Sequence, residues 1–170
     1  MEGTIPSQPA RLESTTPDWL MWLSFAARMF LGVLFLIYGA EKLTNVADFA
    51  HNIYNYRILP LPLVNIAALL FIWTEITVGI LLIAGAAVRG SALVTGAMLV
   101  TFIIAILAAM ARGLEIDCGC TAGSNEKVGW LKVFEDLGLL AVAIFLVYYP
   151  KSFLTIDRLL KREGREEARA

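Results

Sequence analysis

Both cysteines of the chain, Cys118 and Cys120, lie two residues apart in a short polar stretch between two strongly apolar segments. A fully extended pair at this spacing has its α-carbons about 7 Å apart, at the upper limit for a disulfide, so the backbone must bend to bridge them. Gly119 permits that bend. The small, strained ring would be a poor structural cross-link and a good electron acceptor. The pattern favours a redox-active disulfide; a static disulfide, free thiols and a metal site are the alternatives.

Three charged residues are candidates for supporting the cysteine pair. The thiolate is the attacking species in thiol exchange, so a cation such as Arg112 would stabilise it and Asp117 would oppose it. Asp136 lies farther along, on a helical stripe expected to face the cysteines, whereas the adjacent Glu135 points about 100° away. The alternative for both acids is a surface pair satisfied locally by Lys132.

The composition indicates a membrane protein. Of the 170 residues, 58% are hydrophobic and 17% are charged, against about 25% charged in soluble domains. The net charge is -1 and no basic patch is interleaved with aromatics, so nothing points to nucleic acid. Two cysteines and one histidine are too few for an all-Cys/His zinc site, and no metal is predicted. We expect one domain whose main partner is the lipid bilayer.

Four apolar segments are long enough to cross a bilayer as helices. They cover residues 19–40, 63–88, 91–111 and 129–149 approximately. The short connection Arg89-Gly90-Ser91 makes the second and third helices antiparallel neighbours. The predicted fold class is therefore all-α: a polytopic membrane protein whose residues 16–150 form an antiparallel bundle of four transmembrane helices.

The remaining segments are predicted to lie outside the bilayer. Residues 1–15 lack apolar periodicity and are expected to form a mobile cytoplasmic tail. Residues 41–62 are polar and aromatic and indicate a short amphipathic surface segment followed by a rigid, proline-containing turn. Residues 151–170 are expected to form a basic amphipathic cytoplasmic helix.

The distribution of basic residues predicts the orientation of the chain in the cytoplasmic (inner) membrane. Four spans place both termini on one side, and that side carries eight Lys and Arg: Arg11, Arg89, Lys151, Arg158, Lys161, Arg162, Arg165 and Arg169. The opposite side carries five: Lys42, Arg57, Arg112, Lys127 and Lys132. Basic residues favour the cytoplasmic side, so the termini are predicted to be cytoplasmic and the cysteine loop extracytoplasmic, where disulfides persist.

Two charges interrupt the apolar segments, Arg28 in the first and Glu75 in the second. A lone charge at such depth is unfavourable by several kcal/mol, so both are predicted to face the bundle interior, where they could pair. The simplest interpretation is a buried structural pair. A functional interpretation is that Glu75 lines a site for a quinone or a proton.

With these features placed, the chain resembles the MauE branch of the DoxX-like membrane proteins. The matching motifs follow one another in order over much of the chain: Leu31-Gly32-Val33-Leu34-Phe35 with Gly39 and Lys42-Leu43, Asn55-Tyr56-Arg57-Ile58-Leu59-Pro60, Trp73-Thr74-Glu75 with Gly79, Arg89 with Ala92, and Arg112-Gly113 before Asp117-Cys118-Gly119-Cys120. The chain departs from the family pattern at Ile72, where a proline is common, and at Thr121, where an aromatic residue is common.

This resemblance implies a four-helix membrane bundle associated with disulfide formation outside the cytoplasm, as in methylamine dehydrogenase maturation. Because the chain has one cysteine pair, either a quinone or a partner's thiols must complete the electron path. The leading hypothesis is a thiol-disulfide oxidoreductase component that exchanges with an extracytoplasmic thioredoxin-like partner or secreted client. The alternatives are a non-catalytic subunit or assembly factor of a larger membrane oxidoreductase complex, and a small transporter that uses Arg28 and Glu75.

Overall fold

The computed structural model describes residues 17–114, 116 and 128–150. These residues form five helices: α1 (Asp18–Thr44), α2 (Val46–Asn55), α3 (Leu61–Ala84), α4 (Val88–Ala111) and α5 (Trp130–Tyr148). The predicted all-α class is confirmed. The cysteine pair, Asp117 and the two predicted tails (residues 1–15 and 151–170) lie outside the described residues.

The surface of the helices is apolar. Within the described residues, three helices, α1, α3 and α4, are long and apolar enough to cross a membrane, with mean hydropathies of 2.0, 2.3 and 2.5. Large apolar side chains such as Phe30, Leu70 and Ile104 point outward with more than half of their surface exposed. A contiguous apolar surface of this extent is typical of a protein solvated by lipid.

The predicted surface segment between the first two spans forms α2, an amphipathic helix of 10 residues. It buries Phe49 and Ala50 against Val64, Ala68 and Ile72, which lie along one face of α3. Tyr56 ends α2 and is also buried. The amphipathic pattern therefore docks this segment onto the bundle as well as placing its polar face outward.

Two of the helices differ in length from the prediction. The first continues to Thr44 rather than ending near Ala40, so the charged residues that follow Ala40 are helical. The connection between α3 and α4 lies at residues 85–87 rather than at Arg89-Gly90-Ser91. The reason is that Gly85 adopts the left-handed conformation (φ 71°) that ends a helix without strain from a β-carbon.

Glycines bring α1 and α3 into close antiparallel contact. A β-carbon built on Gly32 would lie 2.7 Å from Ile83 Cγ1, and one on Gly79 would lie 3.0 Å from the carbonyl oxygen of Gly32. Farther along, a β-carbon on Gly39 would lie 3.3 Å from Glu75 Cβ. These contacts set the register of the two helices and place Glu75 level with Gly39. Helices α4 and α5 form the second closely packed pair.

Candidate functional site

A buried ion pair joins α1 to α3. The Nζ of Lys42 lies 2.5 Å from Oε1 of Glu75 and donates a hydrogen bond to it, and both side chains are at most 3% exposed. Lys42 reaches this position because it lies on the buried face of α1 with Arg28, Leu31, Phe35 and Gly39. The helix, rather than a surface loop, thus carries the cation that neutralises Glu75.

Aromatic rings enclose the ammonium group of Lys42. Its Nζ lies 5.0 Å from the ring centre of Phe49, 5.5 Å from that of Phe102 and 5.8 Å from that of Tyr38. Ring faces attract a cation that has been removed from water. They also exclude lipid and solvent, so the interaction between Lys42 and Glu75 is little screened.

A small cavity adjoins this pair where four helices meet. Its wall consists of Phe35, Tyr38 and Lys42 from α1, Glu75 from α3, Leu99 and Phe102 from α4, and Asp136 and Leu139 from α5. The cavity measures about 20 Å³, which is enough for one water molecule. A quinone ring would enter it only if the helices moved apart.

The two neighbouring acids of α5 have different surroundings, whereas the predicted approach of Asp136 to the cysteines involves residues outside the described ones. Asp136 is buried and points into the bundle, where it lines the cavity. The more exposed Glu135 is 2.8 Å from Lys132 Nζ and accepts a 3.4 Å hydrogen bond from the hydroxyl of Tyr38. The structure therefore joins Asp136 to Lys42 and Glu75, a grouping that the sequence analysis did not anticipate.

Arg28 is buried as predicted, but it does not pair with Glu75. Glu75 is level with Gly39, eleven residues beyond Arg28, which corresponds to about 16 Å along the helix axis. The guanidinium instead lies 5.3 Å from the ring centre of Phe25, and its Nε and Nη1 have no hydrogen-bond partner among the described residues. The predicted pairing is wrong because it assumed that α1 ends before Lys42 and that α3 continues to Val88.

The segment that carries the cysteines begins and ends at one point of the bundle. The backbone N–H of Val128 donates a 2.9 Å hydrogen bond to the carbonyl oxygen of Ile116. Val128 in turn packs with Ile106 and Val133, so this closure is anchored on α4 and α5. Arg112, predicted to support the thiolate, donates from Nε to the carbonyl oxygen of Ala108 at 2.8 Å.

Lys42 is the site residue that the sequence analysis missed, although a signal for it was present. It follows Phe35 by seven residues and Gly39 by three, the spacing of one helical face. Glu75, already predicted to be buried, requires a cation within reach. Extending the periodicity of the first span past Ala40 would have identified Lys42 as that cation.

Comparisons with known proteins agree on one family. A family model described as "Methylamine utilisation protein MauE" matches residues 20–149. The chain is 33% identical over 122 residues to the methylamine utilization protein MauE of Paracoccus denitrificans, which covers 71% of this chain and 66% of that protein. It is 32% identical over 123 residues to the protein of that name from Methylorubrum extorquens, with the same coverage. The chain thus spans just under two thirds of the length of these relatives. No solved structure matches it.

Proposed function

The chain belongs to the MauE family, and from this membership we propose that it is a membrane thiol-disulfide redox component. Its Cys118 and Cys120 exchange with an extracytoplasmic thioredoxin-like partner or with a secreted client. Its relatives are named as methylamine utilization proteins, and we propose that this chain serves the maturation of a protein required for using methylamine.

Thiol–disulfide exchange with the client passes through a mixed disulfide. A thiolate of the client attacks one sulfur of the Cys118–Cys120 disulfide, which forms a mixed disulfide and releases the other cysteine as a thiol. The client's second thiolate then attacks the mixed disulfide, and the client leaves oxidised. Two electrons and two protons have passed to the cysteine pair. A disulfide of the thioredoxin-like partner, or a quinone, takes them up again and restores the bridge.

The membrane arrangement that supports this function has four spans. Helices α1, α3 and α4 are long and apolar enough to cross the membrane, and α5 joins them as the fourth because its charged residues lie in its first two turns. Asp136 there is buried inside the bundle, and Lys132 compensates Glu135. The excess of basic residues at the termini puts them in the cytoplasm and the segment between α4 and α5 outside it.

One observation carries the proposal: the residues flanking the cysteine segment are tied together by the hydrogen bond between Val128 and Ile116. Ile116 and Val128, the described residues nearest to the cysteines on either side, are thus joined at the end of the bundle where α4 ends and α5 begins. Both cysteines lie between these two residues in the sequence, separated by the glycine that permits a bridge at this spacing.

The experiment is to trap the redox state of the cysteine pair in intact cells with a membrane-impermeant maleimide, before and after mild reduction. We expect no labelling before reduction, labelling after it, and re-oxidation in respiring cells. As a topology control, Ser152→Cys in a chain with both native cysteines changed to serine should stay unlabelled in intact cells. Thiols that remain free in air, or a bridge that never turns over, would contradict the redox proposal.

Function is tested by growth on methylamine with the chromosomal copy changed to Cys118→Ser, Cys120→Ser. We expect growth on methylamine to be lost while growth on other carbon sources is retained. Retention of methylamine growth at normal protein level would favour the alternative, a non-catalytic subunit or assembly factor of a larger membrane oxidoreductase. Cysteine-independent solute flux in proteoliposomes would favour a transporter.

A further inference from the structure

Two carboxylate oxygens that face no described partner belong to one cavity. Oε1 of Glu75 accepts the hydrogen bond of Lys42, whereas Oε2 of Glu75 is buried and has no hydrogen-bond partner among the described residues. Oδ2 of Asp136 is likewise buried and has no hydrogen-bond partner among the described residues. Glu75 is 2% exposed and Asp136 is 7% exposed, and both line the small cavity from opposite helices, α3 and α5.

A buried oxygen without a hydrogen-bond partner is unfavourable, and more so when it is charged. The cavity between them, at about 20 Å³, exceeds the roughly 10–15 Å³ that one water molecule requires. A water molecule there can donate a hydrogen bond to each oxygen and accept one from Lys42, whose ammonium group has three N–H donors. The cavity thus has both the volume and the polar partners for one ordered water.

The charges around the cavity do not balance when every group is ionised. Among the described residues, Lys42 and Lys132 carry two positive charges, and Glu75, Asp136 and Glu135 carry three negative charges; Lys132 lies beside both Glu135 and Asp136. The other described ionisable groups that face this region are Tyr38 and the partly exposed Glu41 of α1 and Tyr56 at the end of α2, and none of them is a cation. One negative charge is therefore left without compensation, which is unfavourable in a water-poor interior. One bound proton removes it.

We propose that this cavity binds one water molecule and that Glu75, Asp136 and that water share a single proton. With Lys42 protonated, the group of three side chains is then neutral. The site goes beyond the proposed thiol exchange and does not depend on the cysteines. It is a proton-binding site inside the membrane region, built from one acid of α3 and one acid of α5.

Infrared spectroscopy of the full-length protein in lipid nanodiscs tests the proton. A protonated carboxyl has a carbonyl stretch separate from that of carboxylates, and the band shifts in D₂O. At pH 7 we expect one such band from this site. Either Glu75→Gln or Asp136→Asn should remove it, because the remaining carboxylate is then balanced by Lys42. Lys42→Met should raise the intensity about twofold, because both acids then hold protons. Glu135→Gln, one residue from Asp136 but outside the cavity, should leave the band unchanged.

The proposal is overturned if the wild-type protein shows no protonated carboxyl at pH 7, an outcome that needs no variant to fold. It is also overturned if the band survives in the Glu75→Gln, Asp136→Asn double variant, or if only one of the two single variants removes it, since the proton would then not be shared. Thermal unfolding of each variant verifies that it is folded. The water is tested separately by a high-resolution structure, in which the absence of density within hydrogen-bond distance of both oxygens would refute it.

Discussion

Lys42 of α1 and Glu75 of α3 form an ion pair, 2.5 Å between Nζ and Oε1, in which neither side chain is more than 3% exposed. The pair lies where Gly39 allows the two helices to approach closely, so that the charges need not extend far to meet. Its partners are 33 residues apart in sequence. The pair therefore adds an electrostatic contact to the glycine packing that sets the register of α1 against α3.

Lys42→Met should destabilise the protein by about 3 kcal/mol, because it breaks a buried ion pair and Glu75 must then bind a proton instead of pairing with a cation. The double variant Lys42→Met, Glu75→Leu should be more stable than Lys42→Met alone, since no buried acid is then left without its partner. Free energies of unfolding in detergent micelles measure both. Arg89→Met, an exposed residue of α4, is the control and should change stability by less than about 0.5 kcal/mol. A double variant less stable than Lys42→Met alone would contradict this explanation.

Arg28 and Glu75 should behave as independent sites. In a double-mutant cycle with Arg28→Met and Glu75→Gln, the coupling free energy should stay below about 0.5 kcal/mol, because the side chains are separated by about three turns of α1. The matching cycle between Lys42 and Glu75 should give a coupling free energy of about 1 kcal/mol or more, because these two side chains are in direct contact. Equal coupling free energies in the two cycles would mean that Glu75 does not lie about three turns from Arg28.

Gly79→Ala should destabilise the protein by about 1–3 kcal/mol through overpacking. The added β-carbon would lie 2.8 Å from Leu36 Cγ and 3.0 Å from a backbone oxygen of α1, and backbone cannot move without separating the helices. Gly138→Ala is the matched control: it is also inside a helix, but nothing lies within 4 Å of its added β-carbon. There we expect a neutral effect or a gain of up to about 1 kcal/mol from helix propensity. Thermal unfolding distinguishes the two, and a tolerated Gly79→Ala would argue against the close contact.

Stability should fall at alkaline pH because of Tyr56. Burial, and then the negative charge of Asp136, raises the pKa of Tyr56 to about 12. In the unfolded chain the phenol ionises near pH 10. The contribution of the buried, neutral phenol to the free energy of unfolding is therefore complete below about pH 10 and is lost as the pH rises towards 12. The loss is about 1.4 kcal/mol per pH unit in that interval.

Unfolding free energies at several alkaline pH values, compared between the wild type and Tyr56→Phe, isolate this contribution. The slope should be shallower in Tyr56→Phe. Tyr54→Phe, on the more exposed side of α2, serves as the control and should retain the wild-type slope. Identical slopes in all three proteins would mean that burial of the Tyr56 phenol contributes nothing.

Helical periodicity was enough to predict the class of the fold and the burial of single charged residues. Arg28 and Glu75 interrupt apolar segments, and the high free energy of a charge facing lipid predicts that they point inward, as they do. These inferences succeed because each depends on one helix and its solvent.

The partner of Glu75 could not be found in that way, because it depends on where α1 ends. The residues after Ala40 are polar, and local composition favours ending the helix there; contact with α3 and α2 keeps Lys42 helical instead. The turn between α3 and α4 was misplaced for a related reason. Gly85 and Gly90 are both suitable residues for the end of a helix, so the sequence does not distinguish them. The observed turn at residues 85–87 also places Ala87 in the left-handed region (φ 47°), a conformation that an alanine does not predict.

The close packing of α1 with α3, and of α4 with α5, has a mechanical consequence. Glu75 belongs to the first pair of helices and Asp136 to the second, so the two acids line one cavity from the two sides of the contact between the pairs. A displacement of one pair against the other would alter the separation of the carboxylates without breaking the contacts inside either pair. The electrostatic repulsion between the acids, and with it the free energy of binding the proposed proton, would then vary with that displacement.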